Sequence, residues 1–206
     1  MVGIQSGEGR QAVILDEGER LPCDVVVLAS GAEVSELAGM VGARVPMANT
    51  FGATVLTEPV PALFEQVSVV HSPRDGSPPM VNVRQLVDGR VMVHGGNHDH
   101  SLGRTQEEVA EVMASAARFF PALEGAQVTE VRRGLRPMPA DGHPAVGFAP
   151  GPGKVYVAVM HSGVTLAPLV GEMSAREIVD GACESALGGT DGTLILKSII
   201  RAVAGE

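Results

Sequence analysis

The stretch VYVAVMHSGVTLAPLVG, residues 155–171, decides how this chain folds. Its first part, Val155 to Met160, is an unbroken apolar run, which is typical of a strand covered on both faces of a parallel or mixed sheet. Thr165 can cap a helix that follows almost at once, because apolar residues recur beyond it at helical spacing. The sequence therefore predicts a buried strand, a tight turn over 161–164 and a helix with Pro168 in its first turn.

The turn His161-Ser162-Gly163-Val164 is the first candidate binding element. A turn from a strand into a helix directs free backbone N–H groups and the positive end of the helix dipole at whatever lies above the carboxyl end of the strand. This arrangement favours an anion or the electron-rich edge of a ring. A structural role for His161 in the turn remains an equal alternative.

Upstream, Arg136 is the strongest candidate for ligand contact. It follows Leu135 and precedes Pro137, at the end of a segment in which apolar residues alternate. An arginine at such a strand end would otherwise need a buried acidic partner. Its planar, permanently charged guanidinium can bind a carboxylate through two hydrogen bonds, so we expect it to contact a ligand.

Three segments together resemble a known family. They are CDVVVLASGAEVSELAG (23–39), GLRPMPADGHPAVG (134–147) and the stretch 155–171. Their order and spacing are similar to the C-terminal part of the FAD-dependent oxidoreductases of the D-amino-acid oxidase, glycine oxidase and sarcosine oxidase superfamily. The resemblance implies that Arg136 binds a substrate carboxylate. It also implies that two groups of residues lie at the FAD: Ala29, Ser30, Gly31 and Ala32, and His161, Ser162, Gly163, Val164 and Thr165 at the pyrimidine end of the flavin.

The expected fold class is mixed α/β. The resemblance assigns residues 1–44 and 137–181 to an FAD-binding domain, without the N-terminal Rossmann βαβ unit. Residues 45–136 form a substrate domain with one helix, and short strands separated by Pro, Gly and Asp predict an antiparallel sheet there. Residues 182–206 form a tail, with a possible helix from Thr193 to Ala204. The segment GEGRQA (7–12) formally fits a dinucleotide fingerprint, but a hairpin strand follows it, so we reject that assignment.

The resemblance also implies an activity. The complete protein would oxidise the C–N bond of an amino acid or a related amine and pass a hydride to FAD, and an upstream segment or a partner chain would supply the missing nucleotide site. A second hypothesis is a partner-binding domain without catalysis. A third is a metal-dependent hydrolase, since His94, His98 and His100 lie close together in HGGNHDHS and imidazole nitrogens bind zinc.

Composition excludes other classes. The net charge is −9, with 15 Lys and Arg against 24 Asp and Glu, and no basic stripe is visible, which argues against nucleic acid as a partner. The two cysteines, Cys23 and Cys183, indicate neither a disulfide framework nor a metal site. No apolar run approaches the length of a transmembrane segment, and we expect a cytoplasmic protein.

Overall fold

The computed structural model describes residues 2–6, 10–66, 68–72, 80–95, 106–151, 153–181 and 201–202. The chain divides into two compact units, one formed by Met1–Ala48 with Pro137–Glu206 and the other by Asn49–Arg136. The strands of the first unit are β1 (Gly3–Gln5), β2 (Gln11–Ile14), β3 (Arg20–Cys23), β4 (Val26–Leu28), β5 (Ala43–Arg44), β6 (Met47–Ala48), β12 (Met138–Pro139), β13 (Ala145–Phe148), β14 (Val155–Val159) and β15 (Arg201–Ala202). Its helices are α1 (Val34–Gly39) and α3 (Gly163–Asp180), and a 3₁₀ turn, Gly31–Glu33, leads into α1.

The central sheet of the first unit has the order β13-β14-β4. Strands β14 and β4 are parallel and β13 runs antiparallel to β14, which agrees with the predicted mixed α/β class. In β14, Val155, Val157 and Val159 point into a core shared with α1, whereas Tyr156 and the following Met160 pack against α3. Both faces are therefore covered, as the unbroken apolar run predicted.

Helix α3 begins earlier than the sequence indicated. Its N-cap is Ser162 rather than Thr165, and the first bond along the helix runs from the Leu166 N–H to the Ser162 carbonyl at 2.9 Å. The placement of Pro168 in the first turn is therefore wrong, because Pro168 lies inside the helix. Ser162 and Gly163 already turn directly from the strand into the helix, so the side chain of Thr165 is not needed as a cap.

The N-terminal residues form a separate antiparallel sheet with the order β1-β2-β3. The strand β2 begins at Gln11, inside the GEGRQA segment, so a strand rather than a helix follows its first residues, although residues 7–9 lie outside the described residues. At the other terminus β15 pairs antiparallel with β5. The helix expected over 193–204 is therefore wrong at Arg201–Ala202, where the backbone pairs with another strand, and residues 193–200 lie outside the described part of the chain.

The second unit is an antiparallel sheet with one helix, as predicted for this region. Its strands are β7 (Phe51–Pro59), β8 (Val69–His71), β9 (Val81–Gln85), β10 (Arg90–Gly95) and β11 (Val128–Leu135), in the order β11-β7-β10-β9-β8. Helix α2 (Gln106–Ala117) covers one face, followed by a 3₁₀ turn, Pro121–Leu123.

Strand alternation decides which side chains of the second unit are covered. Val91 and Val93 of β10 and Val55 of β7 are fully buried in the core with α2. The residues between them point to the opposite face, and there Thr54 and His94 are directly paired across the two strands. Polar side chains therefore meet on the face away from α2.

Candidate functional site

The two predicted cofactor segments meet at one edge of the central sheet in the first unit. Strands β4 and β14 are parallel, with Leu28 paired to Val157, so the chain leaves both strands at the same edge. The segment 29–32 follows β4 there, and the segment 161–165 follows β14. We call these two segments the strand-end site. The structure thus brings together residues that lie more than a hundred positions apart in the sequence, but it does not test their role.

Backbone groups dominate the second half of this site. An α-helix leaves its first N–H groups without an acceptor in the helix, and in α3 these belong to Gly163, Val164 and Thr165. Ser162 makes no side-chain hydrogen bond to cap them. Val164 is 96% exposed, so the helix start is open to a ligand. The helix dipole adds positive potential at the same place.

The first half of the site contains a buried polar atom without a partner. Within the described residues, the Ser30 hydroxyl has no hydrogen bond although its oxygen is buried. Gly31 follows with φ = 65°, a left-handed conformation that a side chain disfavours, and Pro137 lies 3.8 Å from where a β-carbon would be. Ala29 is exposed and Ala32 is half-buried.

Arg136 lies in the second unit and is half-buried. Its backbone N–H donates to the Thr50 carbonyl at 2.8 Å, which fixes the chain just beyond β11. No acidic side chain among the described residues pairs with its guanidinium, and its buried Nε has no hydrogen-bond partner there. Burial alone lowers the pKa of Arg136 from its usual value. A cation held in this way is suited to a carboxylate from outside the described chain.

Arg132, on the same strand, shows the ordinary alternative. Its Nε and Nη2 atoms donate to Glu130 at 2.6 and 2.9 Å. This hydrogen bond raises the pKa of Arg132 and lowers the pKa of the Glu130 carboxyl. Arg136 thus differs from Arg132 in that no acidic side chain in the described part of the chain pairs with its guanidinium.

His94 and Thr54 hold the guanidinium of Arg136 from one side. The Nη2 atom of Arg136 lies 3.0 Å from Nε2 of His94, and Nδ1 of the same ring lies 2.9 Å from the Thr54 hydroxyl oxygen. Gly52 lies beneath: a β-carbon there would approach Nε of Arg136 to 2.7 Å. We call Arg136, His94, Thr54 and Gly52 the arginine cluster.

This arrangement bears on the alternative metal site. His98 and His100 lie outside the described residues, but both ring nitrogens of His94 already have partners in the arginine cluster. In the described part of the chain, no three His, Cys, Asp or Glu side chains form a group that could bind a metal ion. His143 contacts Asp141 two residues away in the same exposed turn: its backbone N–H donates to Oδ1 at 3.0 Å, and Nδ1 lies 3.0 Å from the backbone carbonyl oxygen.

Three members of the arginine cluster escaped the sequence reasoning. Thr54 and Gly52 had no signal of their own, and the sequence placed His94 among candidate metal ligands without pairing it with Arg136. One signal was present: in the alternating strand RVMVHG, His94 shares a face with Met92, and polar residues on such a face mark the side away from the core. The partner strand could not be identified without the pairing.

Comparison with known proteins places the chain in a family. Residues 1–177 match the family described as FAD dependent oxidoreductase. The chain belongs to this family. It is 29% identical over 164 residues to a subunit of opine oxidase from Agrobacterium tumefaciens, a match that covers 79% of this chain and 41% of that protein. It is 28% identical over 175 residues to glycine oxidase of Pseudomonas putida, covering 82% and 45%.

A solved structure shows the same fold. Iminodiacetate oxidase of Chelativorans sp. BNC1 superposes with a TM-score of 0.73 at 23% identity, covering 90% of this chain and 50% of that one. The chain therefore spans about half the length of the proteins it matches. Among the described residues, no helix combines the length and the apolar character needed to cross a membrane.

The family's cofactor is FAD, in agreement with the cofactor predicted from the sequence. The strand-end site of this chain is chemically suited to part of such a group. It offers the uncapped N–H groups at the start of α3 and the partnerless buried hydroxyl of Ser30 in the described chain, and both can bind electron-rich ring atoms. Binding ring atoms in this way requires no acidic or basic side chain with a shifted pKa.

Proposed function

We propose that the complete protein oxidises an amino acid or a related amine that carries a carboxylate. The substrate loses a hydride from the carbon beside its nitrogen, and the resulting imine is hydrolysed by water. FAD supplies the hydride acceptor. The observation that supports this proposal is Arg136, a half-buried cation that has no acidic partner among the described residues.

In this proposal Arg136 binds the substrate carboxylate and restricts the orientation of the substrate. Two hydrogen bonds from a planar guanidinium fix direction as well as position, which is the contribution of a protein that catalyses by placement. The names of the relatives support the substrate class, because opines, glycine and iminodiacetate all carry a carboxylate on a carbon next to nitrogen. The proposal therefore names a substrate class, amines with a carboxylate on the carbon next to nitrogen.

The strand-end site has a different task. Its donors at the start of α3 bind the pyrimidine end of the flavin and stabilise the negative charge that grows there on reduction. The adenosine and pyrophosphate end requires a nucleotide-binding segment, and we propose that it lies outside this sequence. Two observations support this: the chain matches 41% of the length of the opine oxidase protein, and that relative is itself a subunit. A cytoplasmic location stays a prediction.

The test compares carboxylates with their amides. The protein assayed is this chain reconstituted with a nucleotide-binding segment and loaded with FAD. Glycine and iminodiacetate are compared with glycinamide and iminodiacetamide, and reduction of FAD is followed without oxygen. Arg136→Met should lower kcat/KM for the carboxylates by about ten- to hundredfold, the usual effect of losing a charged hydrogen bond, and leave the amides unchanged.

Arg90→Met is the matched control. Arg90 belongs to the same sheet but lies at the opposite end of β10 from His94, where it pairs with Asp88. This variant should behave as the parent protein toward every substrate. Equal losses for carboxylates and amides in Arg136→Met would contradict the proposed role of Arg136. A protein that binds its partner segment but no FAD would instead support the alternative of a non-catalytic partner-binding domain.

A further inference from the structure

The hydrogen bonds of the arginine cluster have a direction. An arginine side chain carries only donors, so Nη2 of Arg136 donates and Nε2 of His94 accepts at 3.0 Å. A histidine nitrogen accepts only when it carries no proton. The neutral ring then has its proton on Nδ1, which donates to the Thr54 hydroxyl oxygen 2.9 Å away.

We propose that His94 and Thr54 are positioning residues that fix the guanidinium of Arg136 for carboxylate binding. Thr54 holds the imidazole in the tautomer that leaves Nε2 free to accept. His94 then restrains Nη2 of Arg136, and guanidinium donors outside this contact bind the substrate. This inference rests on the proposed function, because it assigns the cluster to the binding of a substrate carboxylate.

The surroundings of the cluster support a built arrangement. His94 and Thr54 are paired directly across β10 and β7, so the backbone itself sets their spacing. Gly52 is buried and does not adopt a left-handed conformation. The backbone angles at this position therefore do not require a glycine. What it provides is room, because a β-carbon would reach within 2.7 Å of Nε and 3.0 Å of Nη2 of Arg136. The guanidinium is thus confined by a backbone on one side and an imidazole on another.

Such confinement matters for affinity. A free arginine side chain samples many rotamers and loses that freedom when it binds a ligand. A guanidinium that is already held in the binding orientation loses less, so the carboxylate binds more tightly without any added contact. A purely structural histidine would stabilise the sheet but would not change carboxylate affinity relative to that of a neutral analogue.

The first test reads the tautomer directly. The FAD-loaded protein is labelled with ¹⁵N, and the His94 resonances are assigned by their loss in His94→Gln. At neutral pH we expect the proton on Nδ1 and none on Nε2. A proton on Nε2, or on both nitrogens, would overturn the inference, since Nε2 could not then accept from Arg136. This readout does not depend on turnover.

The second test measures binding of acetate and, as its neutral counterpart, acetamide to the same protein. Thr54→Val removes the hydrogen bond to Nδ1 of His94, and His94→Leu removes both hydrogen bonds of the chain that leads to Arg136. Both variants should weaken acetate binding by about three- to tenfold and leave acetamide unchanged. Thr54→Ser keeps the hydroxyl and His94→Gln keeps an acceptor, so these conservative variants should stay within about twofold of the parent.

The outcomes separate this inference from the function on which it rests. If Arg136→Met loses acetate binding while Thr54→Val and His94→Leu do not, the positioning role is overturned and the proposed function stands. If Arg136→Met binds acetate as well as the parent does, both are overturned. Equal losses of acetate and acetamide in Thr54→Val would assign the pair a structural role only.

Discussion

In the proposed function, the arginine cluster and the strand-end site bind negative charge in different ways. In the cluster, side chains from separate strands hold one cation, and each must be fixed by a neighbour. In the strand-end site, backbone N–H groups at the start of α3 are the hydrogen-bond donors, and the helix axis sets their direction. A substitution should therefore weaken binding at the arginine cluster by changing side-chain packing. At the strand-end site it should weaken binding by removing a backbone N–H donor.

Among the variants that keep Arg136 itself, Gly52→Ala should have the largest effect on acetate binding. The three atoms nearest to the added methyl group would all belong to the guanidinium of Arg136, so the strand can keep its fold while the guanidinium moves away from His94. We expect acetate binding to weaken by about tenfold or more, because the charged hydrogen bonds lose their alignment. Binding titrations with acetate and acetamide, together with a thermal unfolding curve, measure both consequences.

Gly134→Ala is its control. Gly134 is paired with Gly52 across β11 and β7 and is exposed, and within the described residues a methyl group added there would meet nothing within 4 Å beyond its own chain neighbours. The same chemical change should therefore leave acetate binding intact. If Gly52→Ala also binds acetate normally, the close approach of Gly52 does not orient Arg136. Packing around the guanidinium would then not control carboxylate binding in the arginine cluster.

Val164→Pro addresses the backbone site. Proline is tolerated in the first turn of a helix but has no N–H, so one donor at the start of α3 is removed without a change of charge. Val164→Ala keeps the donor and removes an almost fully exposed side chain. We expect FAD to bind severalfold more weakly to the proline variant only, about the net value of one hydrogen bond. Equal affinity of the two variants for FAD would contradict the proposal that the N–H of residue 164 binds the cofactor.

The sequence predicted most of what the backbone does. An unbroken apolar run at 155–160 predicted a strand covered on both faces, and the pattern after it predicted the helix that the structure has from Gly163 onward. These features are encoded by neighbouring residues, so a local pattern is enough. The start of α3 was misplaced because Thr165 is a good cap by type, whereas the chain already turns at Ser162.

The arginine cluster could be predicted only in part. Arg136 was evident from its type and its place at a strand end. Its partners are set by the pairing of β10 with β7, and strand register between distant segments cannot be read from either segment alone. Gly52 illustrates the limit, because it matches no turn signal and its value lies in the approach of a side chain from another part of the chain.

Ser30→Ala should have the smallest effect, and its two consequences have opposite signs. The Ser30 oxygen is buried without a partner in the described chain, so without FAD its removal should stabilise the protein by about 1 kcal/mol. If the hydroxyl binds the flavin, the same variant should bind FAD a few times more weakly. Ser174, in α3, is the control, since its buried hydroxyl also has no partner among the described residues. Ser174→Ala should show the gain in stability and no change in FAD affinity. A loss of FAD affinity in both variants would mean that packing around α3, rather than a contact from Ser30, controls the cofactor.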